Sequence, residues 1–380
     1  MINNKRPIKI LIAPDSFKGS LDASEVCDAI AAGVINEVPD AIIIKNPMAD
    51  GGEGTVQSIV DAQNGQICVA EVSGPLGNIV TAKYGIINKD TAIIEMAEAS
   101  GLTLISTLER NPLLTTTFGT GELILDAINN GCKNIIIGVG GSATNDGGAG
   151  MAQALGFSLL DKNKDPIQRG GQGLAKLDSI HISTRDKRLD NCSFTVACDV
   201  NNIFCGENGA SIIYGPQKGA TPEMIKTLDS NLGLFAKIIY RDIGKDISTI
   251  PGSGAAGGLA GGLMAFLNAK LSSGVDIVKK ETNLSEKMSE VDLVFTGEGK
   301  CDHQTLEGKT VLGVAELAKS LNIPVIAIVG SIGEDIEDLY NHGITEIVSI
   351  MKEPHSLEYA MENASTLITE TTERILHLMT

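Results

Sequence analysis

Apolar residues come in short runs separated by amphipathic stretches at both ends of the chain, and that alternation predicts β-α units. Lys9–Ala13 reads as a buried strand, and Ser20–Val38 carries a helical pattern with Val26, Ala29, Ile30 and Gly33 on one side. Ala41–Lys45 is a second strand, and Glu53–Gln63 a second helix ended by Asn64-Gly65. The C-terminal part repeats this grammar. Strands at Asp292–Thr296, Val325–Val329 and Glu346–Ile350 alternate with helices at Val311–Leu321, Asp335–Tyr340 and Leu357–Met379. Such alternation implies a parallel sheet covered on both faces.

The middle follows another pattern. Ile67–Val72, Ile79–Ile87 and Thr91–Met96 succeed one another through short turns, as in an antiparallel meander. A helix (Gly121–Asn129), strands at Asn134–Val139 and Phe194–Cys198, and long helices at Pro222–Arg241 and Gly257–Lys270 come after. The architecture expected is α/β: a doubly wound domain built from both chain ends (residues 1–65 and 284–380), with a mixed α/β domain inserted at 66–283. Ligands in such sheets sit beyond the carboxyl ends of the strands, and the cleft between the two domains is the expected active site.

Composition narrows the function. Glycine is high, 43 of 380 residues, and aromatics are few, with Phe 8, Tyr 5 and Trp 0, so there is little for single-stranded nucleic acid to stack on. The net charge of -17 repels phosphate backbones and anionic membranes, which excludes nucleic acid and membrane surfaces as main partners. The apolar run Ile8–Ala13 is too short for a signal-peptide core, and the uncharged stretch Ile247–Ala269 holds Pro251 and six glycines, too weakly apolar to enter hydrocarbon. Seven cysteines without a C-x-x-C pair suggest neither a disulfide framework nor a zinc site. A cytoplasmic protein is expected.

Polar clusters follow the expected strands. They are Pro14-Asp15-Ser16-Phe17-Lys18-Gly19-Ser20, then Asp50-Gly51-Gly52-Glu53-Gly54, then the loop Gly140–Gly150, then Asp199-Val200-Asn201-Asn202, and finally Gly297-Glu298-Gly299-Lys300-Cys301-Asp302. Glycines let backbone N–H groups approach an anion, and carboxylates beside them suit Mg²⁺, a combination fitted to phosphoryl transfer. Plainer readings stand beside these. Asp15 and Ser20 fit a helix cap, Asp50-Gly51-Gly52 fits a turn, and Glu298 and Asp302 fit solvated loop acids. The run Gly140–Gly150, with Ser142, Thr144, Asn145 and Asp146, is harder to read as a mere connection and points to phosphate or substrate binding.

Two familiar fingerprints are imitations. Gly308-Lys309-Thr310 resembles the end of a Walker A loop, but His303 occupies the required glycine position. Gly252-Ser253-Gly254-Ala255-Ala256-Gly257 satisfies G-x-G-x-x-G, yet Thr249-Ile250-Pro251 before it is a poor central strand. It reads as a glycine-rich helix start. Cys198 beside Asp199 reads as a small buried side chain.

Together these strings resemble the bacterial glycerate kinases. The matching text is APDSFKGSL (13–21), ADGGEGT (49–55), GGSATNDGGAG (140–150), ACDV and GENGA (197–200, 206–210), YGPQKGA (214–220), GAAGGL (254–259) and TGEG with D-x-Q-T and GK (296–309). The resemblance implies ATP-dependent phosphorylation of D-glycerate, with Mg²⁺, on a Rossmann-like or flavodoxin-like domain carrying an inserted second domain. It favours 2-phosphoglycerate as product, leaves the 3-isomer open, and is compatible with a homodimer. Asn202-Ile203-Phe204, Ser253, Cys301 and His303 depart from the common family text, and none of these changes removes a carboxylate or lysine.

On that footing Lys18 is the candidate to neutralise charge on the transferring phosphoryl group. Asp199 is the first choice for orienting and deprotonating the glycerate hydroxyl, with Asp146 its rival. Asp50, Glu53, Glu298 and Asp302 are candidate Mg²⁺ holders. Lys218 and Lys309 are candidates for the glycerate carboxylate or ATP phosphates, with Asp15, Ser16, Gly51, Gly52, Gly140, Gly141, Ser142, Asn145 and Gly257 lining the substrate and phosphate positions. The competing classes are a nucleotide-cofactor dehydrogenase, resting on Gly252–Gly257, and a non-catalytic sugar-acid binding protein.

Overall fold

The structure, a computed structural model, describes residues 6–52, 54–307, 310–334, 336–353 and 355–379. Two of the candidate residues, Glu53 and Lys309, lie outside the described residues. The first strands are β1 (Lys9–Ile12), β2 (Ile42–Lys45), β3 (Gln66–Ser73), β4 (Ile79–Ile87), β5 (Thr91–Glu95) and β6 (Asn134–Gly138). They are followed by β7 (Ser158–Leu160), β8 (Ser179–His181), β9 (Ser193–Ala197) and β10 (Lys270–Ser272). The last are β11 (Leu293–Cys301), β12 (Val325–Ile332) and β13 (Glu346–Ser349).

The chain forms two compact units. One comprises residues 1–50, 57–64 and 274–380; the other comprises 51–56 and 65–273. The first unit holds a five-stranded sheet of order β13-β12-β11-β1-β2, with every pairing parallel. Ile10, Leu11 and Ile12 are fully buried, as befits a central strand of a parallel sheet covered on both faces. Val26, Ile30 and Val34 of the helix Ala23–Glu37 join that core with Phe295, Ile328 and Ile368. Asp22 starts this helix: its carboxylate accepts from the Glu25 amide at 2.8 Å while Glu25 reaches back to the Asp22 amide, a capping box. The cap is therefore neither Asp15 nor Ser20, which frees both for other work.

The second unit is built on a six-stranded mixed sheet, β10-β9-β6-β5-β4-β3. Its β3-β4-β5 meander is antiparallel, and β5, β6, β9 and β10 run parallel. A small antiparallel pair, β7-β8, stands apart. Ile94, Ile137 and Val196 pack with Leu123, Leu263 and the ring group Phe157, Phe235 and Phe266. At roughly 1.5–3 kcal/mol for each large apolar side chain removed from water, these two cores are the main source of stability.

Three local expectations change. The glycine-flanked Gly297–Cys301 is not a loop: β11 continues through it, because Gly297, Glu298, Lys300 and Cys301 keep their register with Ile328, Val329, Ser331 and Ile332 of β12. The helix expected over Gly257–Lys270 begins at Leu259 and ends at Leu267, since Asn268 adopts a left-handed conformation and Lys270–Ser272 pairs with β9. The last helix is broken at Asn363 into Leu357–Glu362 and Ala364–Met379. No described helix is long and apolar enough to cross a membrane.

Candidate functional site

In a parallel sheet the carboxyl ends of the strands lie on one edge, so the loops leaving them gather there and can carry chemistry. In the first unit the loop after β1 turns back onto β11. The Asp15 amide donates to the Gly297 carbonyl at 2.9 Å, and Thr296 Oγ1 donates to the Ala13 carbonyl at 2.9 Å. Asp15, Ser16, Lys18, Asp50 and Glu298 then line one cavity of about 730 Å³. Its floor includes Gly299 and Gly330, where a Cβ added to Gly330 would fall 2.4 Å from the Gly299 carbonyl oxygen. No side chain fits between these strands.

The acids here are oriented by hydroxyls. Thr310 Oγ1 donates to Asp15 Oδ2 at 2.5 Å, and the Ser16 amide donates to Asp15 Oδ1 at 2.6 Å. Burial pushes the Asp15 carboxyl above its ordinary range and the nearby Asp50 adds to that, while the Thr310 hydrogen bond opposes it. Thr305 Oγ1 donates to Glu298 Oε1 at 2.6 Å and accepts from the Asp302 amide at 3.2 Å. Lys18 Nζ lies 3.6 Å from Asp50 Oδ2 with its side chain 78% exposed, and Lys300 Nζ lies 2.8 Å from Asp302 Oδ2. The cavity thus combines exposed lysines with hydrogen-bonded acids.

The glycine loop of the second unit is of a different kind. Asp146 is fully buried, and its carboxylate accepts from the amides of Thr117 (2.9 Å), Gly148 (3.1 Å) and Gly150 (3.2 Å) and from the hydroxyls of Thr116 and Thr117. Lys218, 1% exposed, donates through Nζ to Ser142 Oγ at 2.8 Å and to the Thr144 carbonyl at 2.7 Å. Burial lowers the Lys218 ammonium to about 7, the charge of Asp146 working against it, and burial raises Asp146 in turn. Asn145 Nδ2 donates to Ser211 Oγ at 2.9 Å. Gly257 (φ +66°) abuts the same loop: a Cβ there would sit 2.0 Å from the Thr144 carbonyl oxygen, so close packing accounts for this glycine.

Gly51, Gly52, Gly140 and Gly141 line a separate cavity of about 100 Å³ in the second unit, with Glu95 and Glu98. Asp199 is exposed just beyond the end of β9. Gly252–Gly257 follows no strand and runs through turns into the helix at Leu259, so the strand-turn-helix context of a dinucleotide fingerprint is lacking. Among the described residues no three or more His, Cys, Asp or Glu side chains are gathered as a metal-holding group. The seven cysteines are free thiols.

Several residues of the large cavity carry no sequence mark. Ser331, in the carboxyl-terminal stretch of β12, and Met351, His355 and Leu357, after β13, belong to it. That position is the one signal that would have found them.

The family model described as "Glycerate kinase family" matches residues 10–380. The glycerate kinase of Halalkalibacterium halodurans is 50% identical, covering 96% of this chain and 97% of that protein. The glycerate 2-kinase of Escherichia coli is also 50% identical, over 94% of each chain. A crystal structure described as a glycerate kinase 2 from Salmonella typhimurium LT2 superposes with a TM-score of 0.89 at 48% identity, covering 98% of both chains. Family match, identity and fold agree over nearly the full length: the chain belongs to the glycerate kinase family, kinases that transfer a phosphoryl group to an alcohol.

Proposed function

We propose that the protein is an ATP-dependent D-glycerate kinase that forms 2-phosphoglycerate. The observation that carries this is the 730 Å³ cavity at the carboxyl ends of the first unit's strands, where Lys18 and Lys300 stand beside Asp15, Asp50 and Glu298 in a glycerate kinase family chain. Phosphoryl transfer is achieved mainly by positioning and charge stabilisation, which is what this mixture of residues supplies. The glycerate 2-kinase name of the Escherichia coli relative supports the 2-position.

Lys18, exposed and paired loosely to Asp50, swings to the transferring phosphoryl group and takes up its developing charge. Asp199 orients and deprotonates the glycerate hydroxyl. Asp146 is the weaker candidate, because its buried oxygens are already taken by amides and hydroxyls. Asp146 and Lys218 instead shape the Ser142–Asn145 loop, whose neighbours Gly140 and Gly141 face the small cavity. Asp50 and Glu298, with Asp302 behind them and Glu53 outside the described residues, would hold Mg²⁺. A donor set of so few carboxylates fits a metal that arrives on nucleotide phosphates. When bound, Mg²⁺ neutralises phosphate charge. The free thiols support a reducing, cytoplasmic setting.

The test is ADP release with D-glycerate, ATP and Mg²⁺, each omitted in turn, followed by phosphorus NMR of the product. ADP release that needs no D-glycerate would overturn the reading, and a 3-phosphoglycerate signal would overturn its regiochemistry. Near-normal kcat in Asp199→Asn, with Asp146→Asn inactive, would exchange the roles of those two residues.

A further inference from the structure

The first unit's cavity is larger and more apolar than a three-carbon acid requires. Its volume, about 730 Å³, lies in the range of sites that enclose multi-ring ligands, roughly 300–1,000 Å³. Part of the lining is polar and carries the residues described above. Another part is apolar: Met351 after β13, and Leu357, Ala360, Met361 and Ala364. Leu357, Ala360 and Met361 are spaced i, i+3 and i+4 on the helix Leu357–Glu362, so they share one apolar face, and Ala364 opens the helix that follows the break at Asn363. Leu357 is 76% exposed, a large apolar side chain of the lining left uncovered. His355, also in the lining, stacks on Tyr359 with ring centroids 4.4 Å apart and an interplanar angle of 28°.

The polar and apolar parts of the lining are tied together. Ser20 Oγ, on the loop that carries Asp15 and Lys18, donates to the Met361 carbonyl at 2.6 Å. The Met361 methyl lies 3.0 Å from where a Cβ on Gly19 would stand. Apolar wall and phosphate-handling loop are therefore one piece of structure. A carboxylic acid substrate has nothing to place on Met351, Leu357 and Met361, and an apolar peptide has nothing to place beside Asp50 and Lys18. A nucleoside triphosphate has both chemistries in one molecule, a flat apolar-faced base and a polyanion with its metal.

We propose that Met351, Leu357 and Met361 form the base-binding wall of the phosphoryl donor site, with the triphosphate extending toward Lys18 and Asp50. Methionine side chains suit a ring face because the thioether adapts its shape and contacts aromatic rings favourably. Glycerate, on this assignment, takes no energy from the wall. The proposal rests on the ATP-dependent reading given above.

The experiment is calorimetric titration of Mg·ATP and of Mg·tripolyphosphate into the wild-type chain, Leu357→Asp and Ala360→Trp, with steady-state kinetics in parallel. Leu357 is exposed, so its replacement leaves the fold intact, and circular dichroism checks the bulkier Trp variant. We expect Mg·ATP to bind at least about tenfold more weakly to both variants, with Mg·tripolyphosphate unchanged. KM for ATP rises in step while KM for D-glycerate and kcat stay close to wild type. Unchanged ATP binding in both variants, equal weakening of tripolyphosphate, or a rise confined to the D-glycerate KM would overturn the base assignment. Absence of ATP-dependent turnover in the wild type would overturn the functional reading instead, so the two failures are distinguishable.

Discussion

The cavity of the first unit and the glycine loop of the second are assembled from the same residue types, Asp, Lys, Ser, Thr and Gly, and use them in opposite ways. In the cavity Lys18 is mostly exposed and Asp50 is only partly covered, so charge is available to a ligand. In the loop Asp146 and Lys218 are sealed, and their polar atoms are committed to Thr117, Gly148, Gly150, Ser142 and Thr144. An unpaired charge in that interior would cost several kcal/mol, whereas one in the cavity costs little. Residue type therefore announces chemistry, but burial decides whether that chemistry serves a ligand or the fold.

The contrast can be broken most severely at Asp146. Asp146→Leu strands three amides and two hydroxyls, and a loss of about 3–5 kcal/mol is expected, read as a fall in the urea midpoint. An unchanged midpoint would mean that the loop is held by something else. Next comes Lys218, whose ordinary value of 10.5 falls to about 7 in the folded chain. Between those values the unfolded chain binds more protons than the folded one, so stability rises with pH across that window. Below it the penalty of a buried ammonium is fully present. Wild type should gain on the order of a few kcal/mol over Lys218→Met between pH 7 and 10; a pH-independent difference would contradict a buried, strained lysine.

Lys18→Ala should do the reverse of both. It lowers kcat by about 10²-fold, near 2.7 kcal/mol of transition-state stabilisation, while leaving the melting temperature where it was. Wild-type turnover in this variant would remove Lys18 from the reaction. The smallest effect is expected at Asp22→Ala, which deletes a helix cap and should cost about 1 kcal/mol of stability with kcat unchanged. A kcat change there would show that the capping residue, and not only the loop before it, acts on the site.

Much of this architecture is legible in the chain before folding. The apolar run at Lys9–Ile12 and the 3.6-residue pattern of Ala23–Glu37 mark a β-α unit from local information alone. Asp15, Ser16, Lys18, Asp50 and Glu298 stand out because each lies at or just past the end of an apolar run. The conformation of Glu298 is not legible in the chain, since its flanking glycines resemble turn chemistry while the ladder to β12 holds them extended. Met351 and Leu357 were not legible as site residues, because a lone apolar side chain has no signature until strand order assigns it a neighbour.

The sequence by itself determined the β-α alternation of the first unit, the antiparallel meander of the second and the set of acids, lysines and glycines available for phosphoryl chemistry; it did not mark the short strands β7, β8 and β10. Periodicity and turn residues act over a few positions, and those few positions are enough to read them. Only the tertiary structure decided that Lys218 and Asp146 are struts, that Lys18 is free to reach a ligand, and that Met351 and Leu357 share a cavity with Asp15. Those outcomes depend on burial, which is set jointly by segments far apart in the chain, and burial sets the local dielectric in which each charge must exist.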